Sequence, residues 1–132
     1  MDDLEKSTHD LWERRAGVDL WSVPHLLFGV LMGFSPSLIG TSFVFTFSAT
    51  VILASLWEAL EKVINIKESK KNIVLDIVLS VIGFLATAPL LAYYSLERDD
   101  LWAALALVGA IYVFMIFSGW RAHRRRERKS PY

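Results

Sequence analysis

Long apolar runs separated by short polar segments dominate this chain of 132 residues. Between Leu20 and Trp57 there is no Asp, Glu, Lys or Arg, and the run exceeds the roughly 20 residues that one membrane-spanning helix needs. Turn-forming residues lie in its middle, at Ser35-Pro36-Ser37 and Gly40-Thr41, so we interpret the run as two helices joined by a tight turn. Two more apolar runs flank the polar turn Glu97-Arg98-Asp99-Asp100.

The pattern therefore predicts an all-α fold, a four-helix transmembrane bundle that forms one integral membrane domain. The expected spans cover about 19–35, 41–62, 73–96 and 101–120. Composition agrees, because 54% hydrophobic residues and a mean hydropathy of +0.39 are more than soluble domains usually show.

The first 18 residues carry mixed charge ahead of the first span. Ser7 and Asp10 have the spacing of a capping box, and the apolar residues Leu11 and Trp12 follow. We expect a short interfacial helix here, with a frayed tail as the alternative because the apolar face is narrow.

Basic residues are distributed unevenly between the two sides of the predicted bundle. Of the 14 Lys and Arg residues, only Arg98 falls in a turn on the opposite side from the others. By the positive-inside rule the protein should be a multi-pass protein of the cytoplasmic membrane with both termini and the middle loop in the cytoplasm. No removable signal peptide is expected, so the first span should serve as the insertion signal.

The segment 121–132 is predicted to be a basic cytoplasmic tail. Its arginines either fix the topology or bind the anionic head groups of membrane lipids. No aromatic platform or nucleic-acid-binding motif accompanies them, so no nucleic acid is expected as a partner.

Three ionisable residues, His25, Glu58 and Asp76, lie inside three different apolar runs. Each lies one to two helical turns from the span end that the charge distribution assigns to the cytoplasm. An ionisable group within a span costs about 2.5 to 3.5 kcal/mol on insertion scales, so three at one depth indicate a shared site.

Helical spacing predicts that these residues face one another, because each belongs to a stripe of polar or small residues. The stripes are Ser22, His25, Gly29 and Gly33 in span one; Ser48, Ser55, Glu58 and Glu61 in span two; and Asn72, Asp76, Ser80, Gly83 and Thr87 in span three. The predicted ligand-binding residues are His25, Glu58, Asp76, Ser80, Asp19 and Glu61.

Structural roles are the alternative for each of these residues. Glu61 would be solvated at a helix end, Glu58 would extend to the membrane surface, and His25 would be a core histidine. Asp76 would cap span three, although its short side chain and inward stripe favour a role in the site.

An imidazole with two carboxylates suits zinc, iron or manganese, and it equally suits proton exchange near neutral pH. No His-x-x-His or Glu-x-x-His pair occurs, so the sequence assigns no metal ligand and no cofactor. The absence of cysteine excludes thiolate ligands.

Span four carries no ionisable residue and is interpreted as a packing helix. Its small residues Ala103, Ala106 and Ala110 would let another helix approach closely. A partner membrane protein or a second copy of the chain could supply that helix.

The motifs of the first three spans resemble the VanZ-like group of small polytopic membrane proteins. They are Asp19-x-Trp-Ser-Val-Pro-His25-x-x-x-Gly29, Trp57-Glu58-x-x-Glu61 and Asn72-x-x-x-Asp76-x-x-x-Ser80-x-x-Gly83. The resemblance implies a polytopic helical fold and a site formed by an Asp and a His on one helix, a Glu on the next and an Asp on a third. The group's chemistry is poorly defined, so the resemblance implies no reaction.

Three functions are compatible with the sequence. The first is an intramembrane pocket, open to the cytoplasmic leaflet, that binds or acts on a lipid-like or cationic ligand. The others are a non-catalytic accessory or scaffold subunit and a proton- or cation-coupled transporter that acts as a homo-oligomer. Whether the chain is an enzyme is left open.

Overall fold

The computed structural model describes Trp12, residues 18–64, Ile66 and residues 68–129. Within these residues the fold is all-α and contains no strand. The helices are α1 (Ser22–Gly33), α2 (Ser35–Ile39), α3 (Phe43–Val63), α4 (Lys70–Tyr94) and α5 (Arg98–Lys129). The predicted interfacial helix at 1–18 lies outside the described residues apart from Trp12 and Val18.

Four membrane spans result, because α1 and α2 together form one of them. Phe34 between them keeps helical backbone angles, and Ser22–Ile39 is long and apolar enough to cross a membrane, as are α3, α4 and α5. The predicted four-helix transmembrane fold is thereby confirmed.

The first turn lies later than the sequence pattern indicated. Pro36 occupies the first turn of α2, where its missing N–H costs no helical hydrogen bond, so Ser35-Pro36-Ser37 stays helical. The helix instead ends at Gly40, whose φ of 69° is left-handed and suits glycine. The predicted boundary at residue 35 is therefore wrong by about one turn.

α5 is longer than predicted, because residues 121–129 continue the helix of span four instead of forming a separate tail. At about 1.5 Å per residue its 32 residues extend about 48 Å, whereas the hydrocarbon core of a bilayer is about 30 Å thick. Arg, Ala and Glu favour helix, and no Gly or Pro interrupts the chain between Gly119 and Pro131.

The closest helix packing joins α1 to α4. A Cβ atom added at Gly29 would overlap the backbone carbonyl of Ser80, and one added at Gly83 would overlap the carbonyl of Leu26. A Cβ at Gly33 would lie 2.6 Å from the Cβ of Thr87. Glycine is required at these positions because the two backbones approach each other directly.

The remaining helices pack around this pair. α1 also contacts α3 and α5, and Phe84 of α4 is fully buried with the rings of Phe43 and Phe47 centred 5.1 and 5.8 Å away. At the end remote from His25, an apolar cluster closes the bundle. Its members are Phe34, Leu38, Leu91 and Leu101.

We call the opposite end of the bundle the basic end, because it holds Lys62, Lys70, Lys71 and the arginines from Arg121 to Arg128 in α5. Here Trp12 packs edge-to-face on Trp21, with ring centroids 5.1 Å apart, and both rings lie against Gly119. The indole N–H of Trp21 donates to the Trp12 carbonyl at 3.0 Å, and the Arg126 guanidinium donates to the same oxygen. Trp12 and Trp21 are thus held against the far part of α5.

Replacing Gly29 by alanine should destabilise the protein, because the added methyl group collides with the Ser80 backbone. We expect a loss of about 1 to 3 kcal/mol in unfolding free energy, typical of overpacked cores, measured by denaturation in detergent micelles. The matched control is Gly109→Ala in α5, where nothing lies within 4 Å of the added atom. Equal stability of the two variants would contradict the close α1–α4 contact.

Candidate functional site

Three of the predicted site residues meet between α1, α3 and α4. The Nε2 atom of His25 lies 3.6 Å from Oε1 of Glu58 and 3.7 Å from Oδ2 of Asp76. One ligand atom from each residue lies within 4.8 Å of those of the other two. All three residues are buried, with exposed fractions of 7% for His25 and 3% for each carboxylate.

His25 is positioned by the start of α1. The Asp19 carboxylate accepts hydrogen bonds from the backbone N–H groups of Trp21 and Ser22, at 2.9 and 3.2 Å, and so fixes where the helix begins. Pro24 lies in the first turn, which leaves the helix unbroken. Asp19 thus caps the start of α1. Among the described residues, two clusters could hold a metal ion, and Asp19 belongs to neither of them.

Asp76 lies well inside α4, so its interpretation as a cap is wrong. Ser69 caps this helix instead, and its hydroxyl accepts from the Asn72 N–H at 3.3 Å. One turn beyond Asp76, the fully buried Ser80 hydroxyl lies 3.0 Å from the carbonyl oxygen of His25 and 3.1 Å from that of Asp76. Ser80 therefore links α4 to α1 at the level of the site.

Glu58 and Glu61 are both buried in α3. Glu61 is 4% exposed and accepts a hydrogen bond from the Trp57 indole N–H at 3.0 Å, so its interpretation as a solvated helix end is wrong. Carboxylate oxygens of Glu58, Glu61 and Glu68 also lie within 4.8 Å of one another. Glu68 precedes α4, so carboxylates continue from the site toward the α3–α4 loop. The sequence offered no signal for Glu68, which lies in a charged loop.

The inward stripes of span one and span three are confirmed in their main residues. In α1, Ser22, His25, Gly29 and Gly33 are buried. In α4, Asn72, Asp76, Ser80 and Gly83 are buried, whereas Thr87 is only half-buried and Phe84 and Ala88 continue the inward face.

The stripe predicted for span two is partly wrong. Ser48 and Ser55 are exposed, and the buried face of α3 is formed by Thr46, Thr50, Ala54, Glu58 and Glu61. Ser55 donates to the Val51 carbonyl in its own helix at 2.8 Å, so its hydroxyl is satisfied without facing inward. The four-residue spacing from Thr46 to Glu58 is the signal that identifies the correct face.

The three donor atoms are spaced closely enough to share one small cation. Zinc bonds to nitrogen and oxygen at about 2.0 to 2.2 Å, which places adjacent ligands of a tetrahedral ion about 3.3 to 3.6 Å apart. The two separations from Nε2 of His25, 3.6 and 3.7 Å, are close to that range, and the carboxylate oxygens of Glu58 and Asp76 lie within 4.8 Å of each other. Imidazole nitrogen and carboxylate oxygen are donors that first-row transition metals accept.

Two adjoining cavities lie beside the site, between α3 and α5. The inner cavity, of about 170 Å³, reaches His25 and is otherwise mostly apolar. The outer cavity, of about 850 Å³, extends along α5 to Arg121, Arg124, Arg125 and Arg128. Trp57, Tyr112 and Ile116 line both cavities, so the two spaces are neighbours.

Comparison with models of known protein families, with curated proteins and with solved structures found no match to this chain.

Replacing Ser80 by alanine should weaken the link between α4 and α1. Interhelical hydrogen bonds in membrane proteins average about 0.6 kcal/mol, so we expect a loss of that size in unfolding free energy. Ser55→Ala is the control, because the Ser55 hydroxyl donates to a carbonyl of its own helix. If the two variants lose the same stability, the interhelical bond of Ser80 contributes nothing.

Proposed function

We propose that this chain is a small integral membrane protein whose intramembrane pocket binds a divalent transition-metal cation through His25, Glu58 and Asp76. The observation that carries the proposal is the convergence of Nε2 of His25 with one oxygen of each carboxylate, all in buried side chains. Burying three ionisable groups in a membrane is costly, and a shared cation offsets that cost by attracting both carboxylates.

The carboxylates of Glu61 and Glu68 support a route for the cation. They connect Glu58 to the α3–α4 loop at the basic end, where α3 ends and α4 begins. A cation would enter from this end and meet carboxylate oxygens before it reaches His25.

The proposal extends to the type of protein and its orientation. Kinship with the VanZ-like group is part of the proposal, and the motifs on which the resemblance rests contain the three residues that converge. The basic end faces the cytoplasm under the positive-inside rule, so the pocket would open to the cytoplasmic leaflet of the cell membrane.

Purified, tag-free protein should bind one Co²⁺ or Zn²⁺ ion per chain, measured by metal analysis after dialysis and by titration of Co²⁺ absorption. His25→Gln and Asp76→Asn should each weaken binding at least about 100-fold, the upper loss seen when only an outer-shell partner is removed. Each variant's elution volume and helical content should match those of the wild type.

The matched control for this experiment is His123→Ala. His123 lies 3.3 Å from Glu127 on the outer part of α5 and forms another histidine–carboxylate pair outside the pocket. Its replacement should leave the metal content unchanged. A folded wild-type protein that holds no metal would contradict the proposal and favour a structural role for the cluster.

Reporter fusions should show both termini and the α3–α4 loop in the cytoplasm. Alkaline phosphatase fused after Lys129 should be inactive, whereas a fusion at Glu97, in the turn before α5, should be active, because the enzyme works only outside the cytoplasm. The opposite pattern of activities would show that the basic end faces outward.

A further inference from the structure

The face of α5 that looks toward α3 changes along its length from apolar to basic. Residues at four-residue spacing share one side of a helix, so the apolar and basic parts form one continuous stripe. Its residues at the cavity are Tyr112, Ile116, Trp120, Arg124 and Arg128, and Val113, Phe117 and Arg121 of the neighbouring row line the same cavity. Arg125, next to Arg124, lines the same cavity.

This stripe forms one wall of a cleft, because α5 packs on α1 and α2 while Trp57 of α3 lies across the gap. The outer cavity in this cleft has a volume of about 850 Å³, within the range of about 300 to 1,000 Å³ typical of small-molecule sites. Phe117 and most of the arginine side chains are exposed, so the cleft opens sideways toward the surroundings of the bundle.

The cleft also continues inward to the buried site. Beyond Trp57 and Ile116, the inner cavity is lined by apolar side chains of α1 and α3, including Phe28 and Leu53, and ends at His25. A ligand with an extended apolar part would thus have its polar group at the arginines and its hydrocarbon beside Trp57.

We infer that this cleft is a binding site for one anionic phospholipid, separate from the cation site. Guanidinium groups bind phosphate oxygens through paired hydrogen bonds, and four arginines face the basic end of the cleft. The apolar part of the cleft accommodates an acyl chain that enters laterally from the bilayer.

The charge and shape of the cleft together favour a phospholipid over other ligands. A transmembrane helix from another protein would leave the arginines facing an apolar surface, and free phosphate would leave the apolar half of the cleft unfilled. An amphiphile with phosphate at one end matches both halves. The arginines also lie beyond Trp120, at the level where the 32-residue helix passes out of the hydrocarbon core.

Native mass spectrometry of the full-length protein, extracted in mild detergent and supplied with phospholipid, tests this inference. The wild type should retain one molecule of phosphatidylglycerol in preference to phosphatidylcholine with the same acyl chains. Replacing Arg124, Arg125 and Arg128 together by glutamine should weaken phosphatidylglycerol binding on the order of 100-fold, since each basic residue near a membrane surface contributes about fivefold.

The control for charge replaces Lys62, Lys70 and Lys71 together by glutamine. These exposed lysines lie at the same end of the bundle, and their replacement removes the same three charges, but none of them lines the cleft. The lysine variant should bind phosphatidylglycerol as the wild type does. Equal losses in the two triple variants would overturn the inference in favour of diffuse attraction to basic residues.

The apolar half of the site is tested by Ile116→Trp, which should fill the space shared by the two cavities and abolish lipid retention. Ile111→Trp is its control, because Ile111 is 45% exposed on the same helix and lines neither cavity.

If the acyl chain contributes to binding, inorganic phosphate in excess should not displace the lipid. Undiminished retention by a folded Ile116→Trp variant, or displacement by phosphate alone, would overturn the phospholipid assignment.

Metal content separates this inference from the cation proposal. The arginine variant should still bind one metal ion, and Asp76→Asn should still retain phosphatidylglycerol. Loss of lipid binding in Asp76→Asn would contradict the independence of the two sites.

Discussion

The direct contact between the backbones of α1 and α4 determines the rest of the architecture. Gly29 and Gly83 allow this approach because any side chain at either position would overlap a carbonyl group of the opposite helix. The contact fixes the height of α1 relative to α4, and the Ser80 hydroxyl then reaches the His25 carbonyl at 3.0 Å. Since Asp76 lies one turn before Ser80, the same contact brings Asp76 beside the imidazole of His25.

The third member of the site reaches it by a different physical route. α3 presents Thr46, Thr50 and Ala54 inward, and the Thr50 hydroxyl donates to the Thr46 carbonyl of its own helix at 2.8 Å. Small, internally satisfied side chains let α3 lie close to the other helices, so the next inward position, Glu58, enters the space between them. The site is thus the place where three independently determined helix faces meet.

Much of this arrangement can be predicted from the sequence, because the bilayer severely restricts the backbone structures that can span it. Backbone polar groups must be satisfied within each span, so long apolar runs predict four helices, and the stripe around Asp76 predicts its inward direction. The inward face of span two is harder to predict from the sequence. Ser48 and Ser55 suggest a polar face, but a serine whose hydroxyl bonds to the backbone of its own helix can equally face lipid. The sequence also does not predict that α5 continues through the basic segment. A run of charged residues indicates a change of environment, but it does not indicate where a helix ends.

Glu61 belongs to the inward stripe predicted for span two, whereas the nearness of Glu68 has no signal in the sequence. Glu68 lies between α3 and α4, and helical periodicity carries no information on a loop. The cleft between α3 and α5 likewise forms because α5 packs on α1. Periodicity identifies the face of a helix, but the identity of its neighbour depends on the whole bundle.

X-ray absorption at the zinc edge tests the central claim most directly, that His25, Glu58 and Asp76 share one cation. It is best applied to a variant in which His9 and His123 are replaced by alanine, so that His25 is the only histidine in the chain. The account predicts one imidazole nitrogen and carboxylate oxygens at about 2.0 to 2.2 Å from the ion, with the imidazole signal lost in His25→Gln. A spectrum without imidazole scattering, identical in the two proteins, would contradict it.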